Sequence, residues 1–105
     1  MNDQKHVNET LSSIFTEIGL VDVICSLYEK QLTSVEIGIL LDLDHTTIEN
    51  NLNQLINMNL VKKIKKNNTE LFMVTNPKLC DSILMLKDAL YLINAETNIG
   101  SFYLR

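Results

Sequence analysis

No apolar run in this chain approaches the roughly 18 residues that a membrane-crossing helix needs. Its first residues, MNDQKHVNETL, also lack the basic-then-apolar pattern of a secretion signal. Both absences point to a soluble, cytoplasmic protein with no membrane contact. Cysteine is scarce, with two in 105 residues, so a disulfide framework is not the expectation. The three glycines form no Gly-rich loop that would cradle a phosphate. The histidines are His6, in a polar terminus, and His45, at an expected helix start. No catalytic arrangement stands out, and an enzyme is the class least favoured.

Positive charge is short as well. Nine Lys and Arg stand against 13 Asp and Glu, for a net charge of −4, which excludes a protein that coats nucleic acid or membrane by bulk charge. The distribution is polarised. From Asp42 to Leu60 there is not one Lys or Arg, whereas Lys62, Lys63, Lys65 and Lys66 fall almost side by side. At this length, 46% apolar residues supply one modest core. With no repeat and no linker, the expectation is one domain over residues 8–94, between a disordered terminus, 1–7, and a tail, 95–105.

Leu11, Ile14, Phe15 and Ile18 form a helical stripe ended by Gly19. Leu20, Ile24, Leu27 and Tyr28 form a second, closing near Gln31. Thr33 and Glu36 make a T-x-x-E capping box that opens a third, short helix with Ile37, Leu40 and Leu41 as its buried face. Thr46 and Glu49 offer another box, and behind it Ile48, Leu52 and Leu55 recur at helical spacing. Two short helices joined by a few residues read as a helix-turn-helix. The pattern then changes to VKKIKK, Asn67-Asn68-Thr69 and LFMVT, a β-hairpin that gives the helix pair a wing. Asn76-Pro77 supplies an N-cap and a first-turn proline for a last helix running to about Asn94. The fold expected is mainly α, a winged helix-turn-helix of about five helices plus a two-stranded wing.

Along the last helix Leu79, Ile83, Leu86, Leu90 and Ile93 make a narrow seam of the coiled-coil kind. Leu84, Met85, Tyr91 and Leu92 lie off that seam. Apolar residues on a second face of a small domain call for a cover. A second copy of the chain, meeting it through the first and last helices, is the expected one. Coverage by the first helix of the same chain is the alternative. Phe102, Tyr103 and Leu104 in the tail either dock or hang free.

From Ile24 to Thr75 the run ICSLYEKQLTSVEIGILLDLDHTTIENNLNQLINMNLVKKIKKNNTELFMVT resembles the ArsR-type winged-helix transcriptional regulators, with MarR-type regulators as close relatives. The likeness extends over about residues 10–93. Asn59-Leu60-Val61 stands where that family usually has Gly-Leu-Val. Asp42 takes a turn position often held by glycine, where an aspartate tolerates the left-handed backbone. Glu49 occupies a position that is commonly serine. The resemblance implies a homodimer that binds double-stranded DNA, with a recognition helix at about 45–58 in the major groove. The exposed face then maps to His45, Thr46, Thr47, Glu49, Asn50 and Asn53.

The chemistry of those residues is compatible with that role. Asparagine pairs with both N6 and N7 of adenine, threonine contacts phosphate or a thymine methyl, and glutamate accepts from cytosine N4. None of this needs a cation, because phosphate contacts supply affinity and base edges supply preference. Lys62, Lys63, Lys65 and Lys66 would neutralise phosphates from the wing, and the helix N-terminus would add partial positive charge and free N–H groups. Two plainer readings stay open: a lysine-rich edge strand that blocks aggregation, and asparagines that are only surface. The functional alternative is an acidic winged-helix module that meets a basic protein and binds no DNA.

Metal sensing, frequent in the resembled family, uses cysteines on the first helix of the reading pair or Asp and His sets on the last helix. The first helix of the pair, Thr33 to Asp42, holds no Cys or His and the last helix holds none except Cys80, so no metal or other cofactor is expected. Cys25 in VICSL resembles a family position that senses oxidants with a partner on the last helix. Cys80 lies near that helix's start, about three turns or roughly 16 Å before the family's place, so the two are not equivalent. Cys25 and Cys80 remain a possible redox pair, with core filling as the plainer reading.

Overall fold

A computed structural model describes residues 2–17 and 19–103, with side chains described over 4–17 and 19–95. The order is α1 (Asn2–Thr16), α2 (Leu20–Ser26), α3 (Ser34–Leu41), α4 (His45–Asn57), β1 (Val61–Lys66), β2 (Thr69–Val74) and α5 (Pro77–Tyr103). Five helices and a two-stranded antiparallel sheet match the architecture read from the sequence. No helix among the described residues is long and apolar enough to cross a membrane.

The core gathers one residue set from each element. Ile14, Leu20, Val23, Ile24 and Leu27 meet Ile37, Ile48, Leu52 and Leu55, and the hairpin closes over them with Val61, Phe72 and Val74. Cys80 and Ile83 complete the core from α5. Gly19 sits at φ 91°, and a Cβ there would come 2.9 Å from Asn51 Nδ2. Only glycine accepts both conditions, so the α1–α2 turn seats directly on the buried Asn51 of α4. Among the described residues Asn51 Nδ2 has no hydrogen-bond partner.

Local signals set most boundaries. The Thr33 side chain accepts from Glu36 N at 3.1 Å, and Glu36 accepts from Thr33 N at 2.9 Å, so the capping box at α3 is present in full. Asp42 ends α3 in the left-handed region, φ 55°, and Asn59 turns the chain from α4 toward β1 at φ 61°. Asn67 and Asn68, at φ 50° and 65°, form a two-residue turn of the kind that matches strand twist. Val61 pairs Val74 and Lys66 pairs Thr69 in register. Leu32 and Phe72 exchange backbone hydrogen bonds of 2.7 and 3.1 Å, tying β2 to the segment before α3. Asn76 Oδ1 accepts from Lys78 N at 2.9 Å, starting α5 behind Pro77.

Several expectations change. α1 begins at Asn2, where the pattern placed a disordered terminus through residue 7. An exposed Lys5–Glu9 pair at 4.0 Å joins its outer turns. α2 closes at Ser26 rather than near Gln31, leaving Tyr28 at the surface. α5 runs 27 residues, about 40 Å by helix rise, to Tyr103 instead of stopping at Asn94. Ile18, Leu104 and the side chains of Phe102 and Tyr103 lie outside what is described. On α3, Ile37 is buried and Leu41 packs on the core, but Leu40 is exposed. Neighbouring positions on a helix differ by about 100°, and the core lies on the side of Ile37.

The last helix leaves an apolar surface open. Leu79 and Ile83 pack inward, whereas Met85, Leu86, Leu90, Tyr91, Leu92 and Ile93 are exposed. α1 likewise exposes Val7, Leu11 and Phe15. The two helices flank an apolar cleft of about 160 Å³ between Leu11, Ile14 and Phe15 on one side and Leu79, Ile83 and Leu86 on the other. Among the described residues α1 meets α5 near the beginning of α5.

Candidate nucleic-acid interface

α4 forms because Ile48, Leu52 and Leu55 give one buried stripe, and its opposite side is left to water. That outer side carries His45, Thr46, Asn50 and Asn53, all exposed, with Thr47 and Glu49 half-buried at its edges. Gln54 and Asn57 extend the same polar surface. With Glu17, Thr47, Asn50 and Asn53 they line a groove of about 530 Å³ along the helix. The spacing Thr46, Asn50, Asn53, Asn57 already marked Asn57 as part of one stripe, a helical period read one turn too short.

The start of α4 differs from expectation. Asp44, not Thr46, is the N-cap: its carboxylate accepts from Thr47 N at 3.3 Å and from the Thr47 hydroxyl. These bonds hold the Asp44 carboxyl below the usual carboxylate range, the Thr47 hydroxyl contributing most. The capping role therefore belongs to a residue already ionised. A negative charge sits on N–H groups that were expected to be free for phosphate. Glu49 does not reach back to form a box; it lies 3.8 Å from His45 Nε2, one turn away, an ion pair when the imidazole is protonated.

The wing lysines are not equivalent. Strand alternation sends Lys63 and Lys65 to one face and Lys62 and Lys66 to the other. Lys63 pairs with Glu70 at 3.5 Å and lies 5.8 Å from the centroid of the Phe72 ring, a cation–π distance. Lys66 Nζ donates to Gln31 Oε1 at 3.0 Å. Lys62 and Lys65 are exposed and have no such partner among the described residues.

Cys25 of α2 and Cys80 of α5 belong to the packing around the shared core rather than to the exposed side of α4. Both are free thiols; Cys80 is fully buried and its Sγ donates to Ile24 O at 3.3 Å. Burial pushes both thiols up, the nearby Lys87 ammonium opposing this at Cys25. Raised thiols are poor nucleophiles, and the geometry at Cys80 is that of core packing. No group of three or more His, Cys, Asp or Glu side chains converges into a metal-binding set among the described residues.

A helix pair joined by Asp42-Leu43-Asp44, followed directly by a two-stranded hairpin packed on the same core, decides the architecture. The fold is a winged helix-turn-helix. No protein-family model and no curated protein sequence matches the chain. Solved structures do. The multiple antibiotic resistance repressor MarR superposes with a TM-score of 0.72 at 22% identity, over 96% of this chain and 80% of that one. A protein described as a predicted DNA-binding transcriptional regulator from E. coli gives 0.70 at 15% identity, over 84% and 93%. The transcriptional regulator HlyU from Vibrio vulnificus CMCP6 gives 0.63 at 17% identity, over 85% and 98%. At such identities the likeness is one of fold.

Proposed function

We propose that this winged helix-turn-helix protein is a DNA-binding transcription regulator of the ArsR or MarR kind, acting as a cytoplasmic homodimer. The observation that carries the reading is the division of labour beside one core. An exposed Thr/Asn stripe runs along α4, and a lysine-rich strand follows it immediately. In this reading α4 enters the major groove and Asn50, Asn53 and Asn57 contact base edges, with a preference for sites containing A·T pairs. Lys62 and Lys65 contact phosphates, helped by Lys63 and Lys66 when their local partners release them. Two protomers meet through the exposed apolar residues of α1 and α5, which doubles the wing charge and sets two α4 helices on successive grooves.

Similar solved structures described as a repressor or as DNA-binding regulators support this reading. The test is electrophoretic retardation of duplex DNA across a salt series. Binding at ~50 mM salt that weakens steeply as salt rises is expected. An absence of retardation at that salt would sink the proposal. A sedimentation measurement should give twice the 12.0 kDa chain mass.

A second reading has its own observation. The charges on α4 and its cap are the carboxylates of Asp44 and Glu49, which favour a basic protein over a polyanion. Failure to retard DNA, with the fold intact, would leave the interaction module as the function.

A further inference from the structure

α3, SVEIGILL, is apolar on two sides. Its inner side, Ile37 with Leu41, packs on the core. Its outer side carries Val35, Ile39 and Leu40, which are 62%, 76% and 55% exposed. Val35 and Ile39 stand one turn apart and share a face. Helices apolar all round occur where neighbours cover them, yet no element of this chain covers that face among the described residues. Beside it, a groove of about 330 Å³ runs between α3 and the turn into α4, lined by Val35, Gly38, Ile39, Asp42, Leu43 and His45. It meets the polar side of α4 only at His45.

The charge around the groove selects among occupants. Asp42 lines it, Glu36 and Asp44 are exposed next to its lining residues in the chain, and the sequence holds no Lys or Arg from Gln31 to Val61. None of the three carboxylates has an ion-pair partner among the described residues. A nucleic acid is repelled by them and gains no donor from Val35 or Ile39. A second copy docking face to face about a two-fold axis sets the same carboxylates against each other. A partner with an aliphatic anchor and flanking cations meets both features at once.

We propose that the outer face of α3 and the groove beside it form a docking surface for a basic amphipathic segment of another protein. An aliphatic side chain of that segment seats between Val35, Ile39 and Leu43, and its lysines or arginines face Glu36, Asp42 and Asp44.

Fluorescence anisotropy with the full-length chain tests this, using a labelled ~18-residue peptide that carries a leucine stripe at helical spacing and lysines elsewhere. A control peptide replaces every lysine by glutamate. The lysine peptide should bind at low salt and the glutamate peptide at least ~10-fold more weakly. Val35→Ser with Ile39→Ser leaves the core untouched and should weaken the lysine peptide ~10-fold or more. So should Glu36→Gln with Asp42→Asn and Asp44→Asn, which keeps the capping box, the left-handed turn and the N-cap and removes charge alone. Three results would overturn the proposal: equal binding of the two peptides, binding unchanged by either set, or binding abolished instead by Met85→Ser with Leu92→Ser on α5. Salt-sensitive self-association that Lys62→Glu with Lys65→Glu removes would also overturn it, because the groove would then belong to a second copy's wing.

Discussion

α4 and β1 are neighbours in the chain, separated by Met58-Asn59-Leu60, and they are opposite in character. The helix has 13 residues and no Lys or Arg; the strand has six residues, four of them lysine. Both rest on the same core, Ile48, Leu52 and Leu55 beneath one and Val61 with Phe72 and Val74 beneath the other. The difference shows how backbone period decides what a cluster of like residues becomes. A helical period gathers Thr46, Asn50, Asn53 and Asn57 onto one line. A period of two splits four adjacent lysines between two faces, where Glu70 and Gln31 engage two of them. The exposed polar side chains therefore line up on α4, while two of the four wing lysines have local partners among the described residues.

The largest expected effect breaks the electrostatic half of this comparison. Lys62→Glu with Lys65→Glu should weaken duplex binding on the order of 10³-fold at low salt and flatten the salt slope. The same change at Lys63 and Lys66, whose side chains have local partners, should do less in the same retardation assay. Next comes the support the two elements share. Leu52→Ala, at a fully packed position, should cost about 2–5 kcal/mol of stability in denaturant unfolding, while Lys62→Ala should leave the midpoint unmoved.

A smaller effect separates reading from anchoring. Asn50→Ala should lower discrimination between a bound site and a substituted one by about 1–3 kcal/mol, with non-specific affinity nearly unchanged. Glu49→Gln removes one like charge and should strengthen binding only about 3-fold.

The smallest effect concerns the α4 cap and is a matter of sign. Asp44 is depressed in the folded state, so its contribution to stability is present above the unfolded carboxylate pKa. It is lost as pH falls through the lower folded value. Asp44→Asn keeps the cap acceptor but removes that dependence. Melting curves at neutral pH and in strong acid should differ less for the variant than for the parent chain.

The fold was largely legible because its signals are short-range. The Thr33/Glu36 box, Asn67-Asn68 and Asn76-Pro77 each act within a few residues, and each forms as the sequence indicates. Near the candidate interface legibility falls away. Thr46 with Glu49 satisfies the same capping pattern as Thr33 with Glu36, but Asp44, two residues earlier, takes the role because its carboxylate reaches both the N–H and the hydroxyl of Thr47. Leu40 fits a buried helical face by spacing and is exposed, since spacing states which residues share a face and not which face meets the core.

The sequence by itself determined the elements, their order, and the contrast between a helix without Lys or Arg and a basic strand. All of these follow from backbone preference and periodicity over a few residues. Only the tertiary structure decided which lysines remain free, since Gln31 reaches Lys66 from 35 positions away. The same holds for the apolar residues of α1, α3 and α5 that stay exposed among the described residues. Burial is a property of what packs against a residue, and its neighbours are brought in from distant parts of the chain.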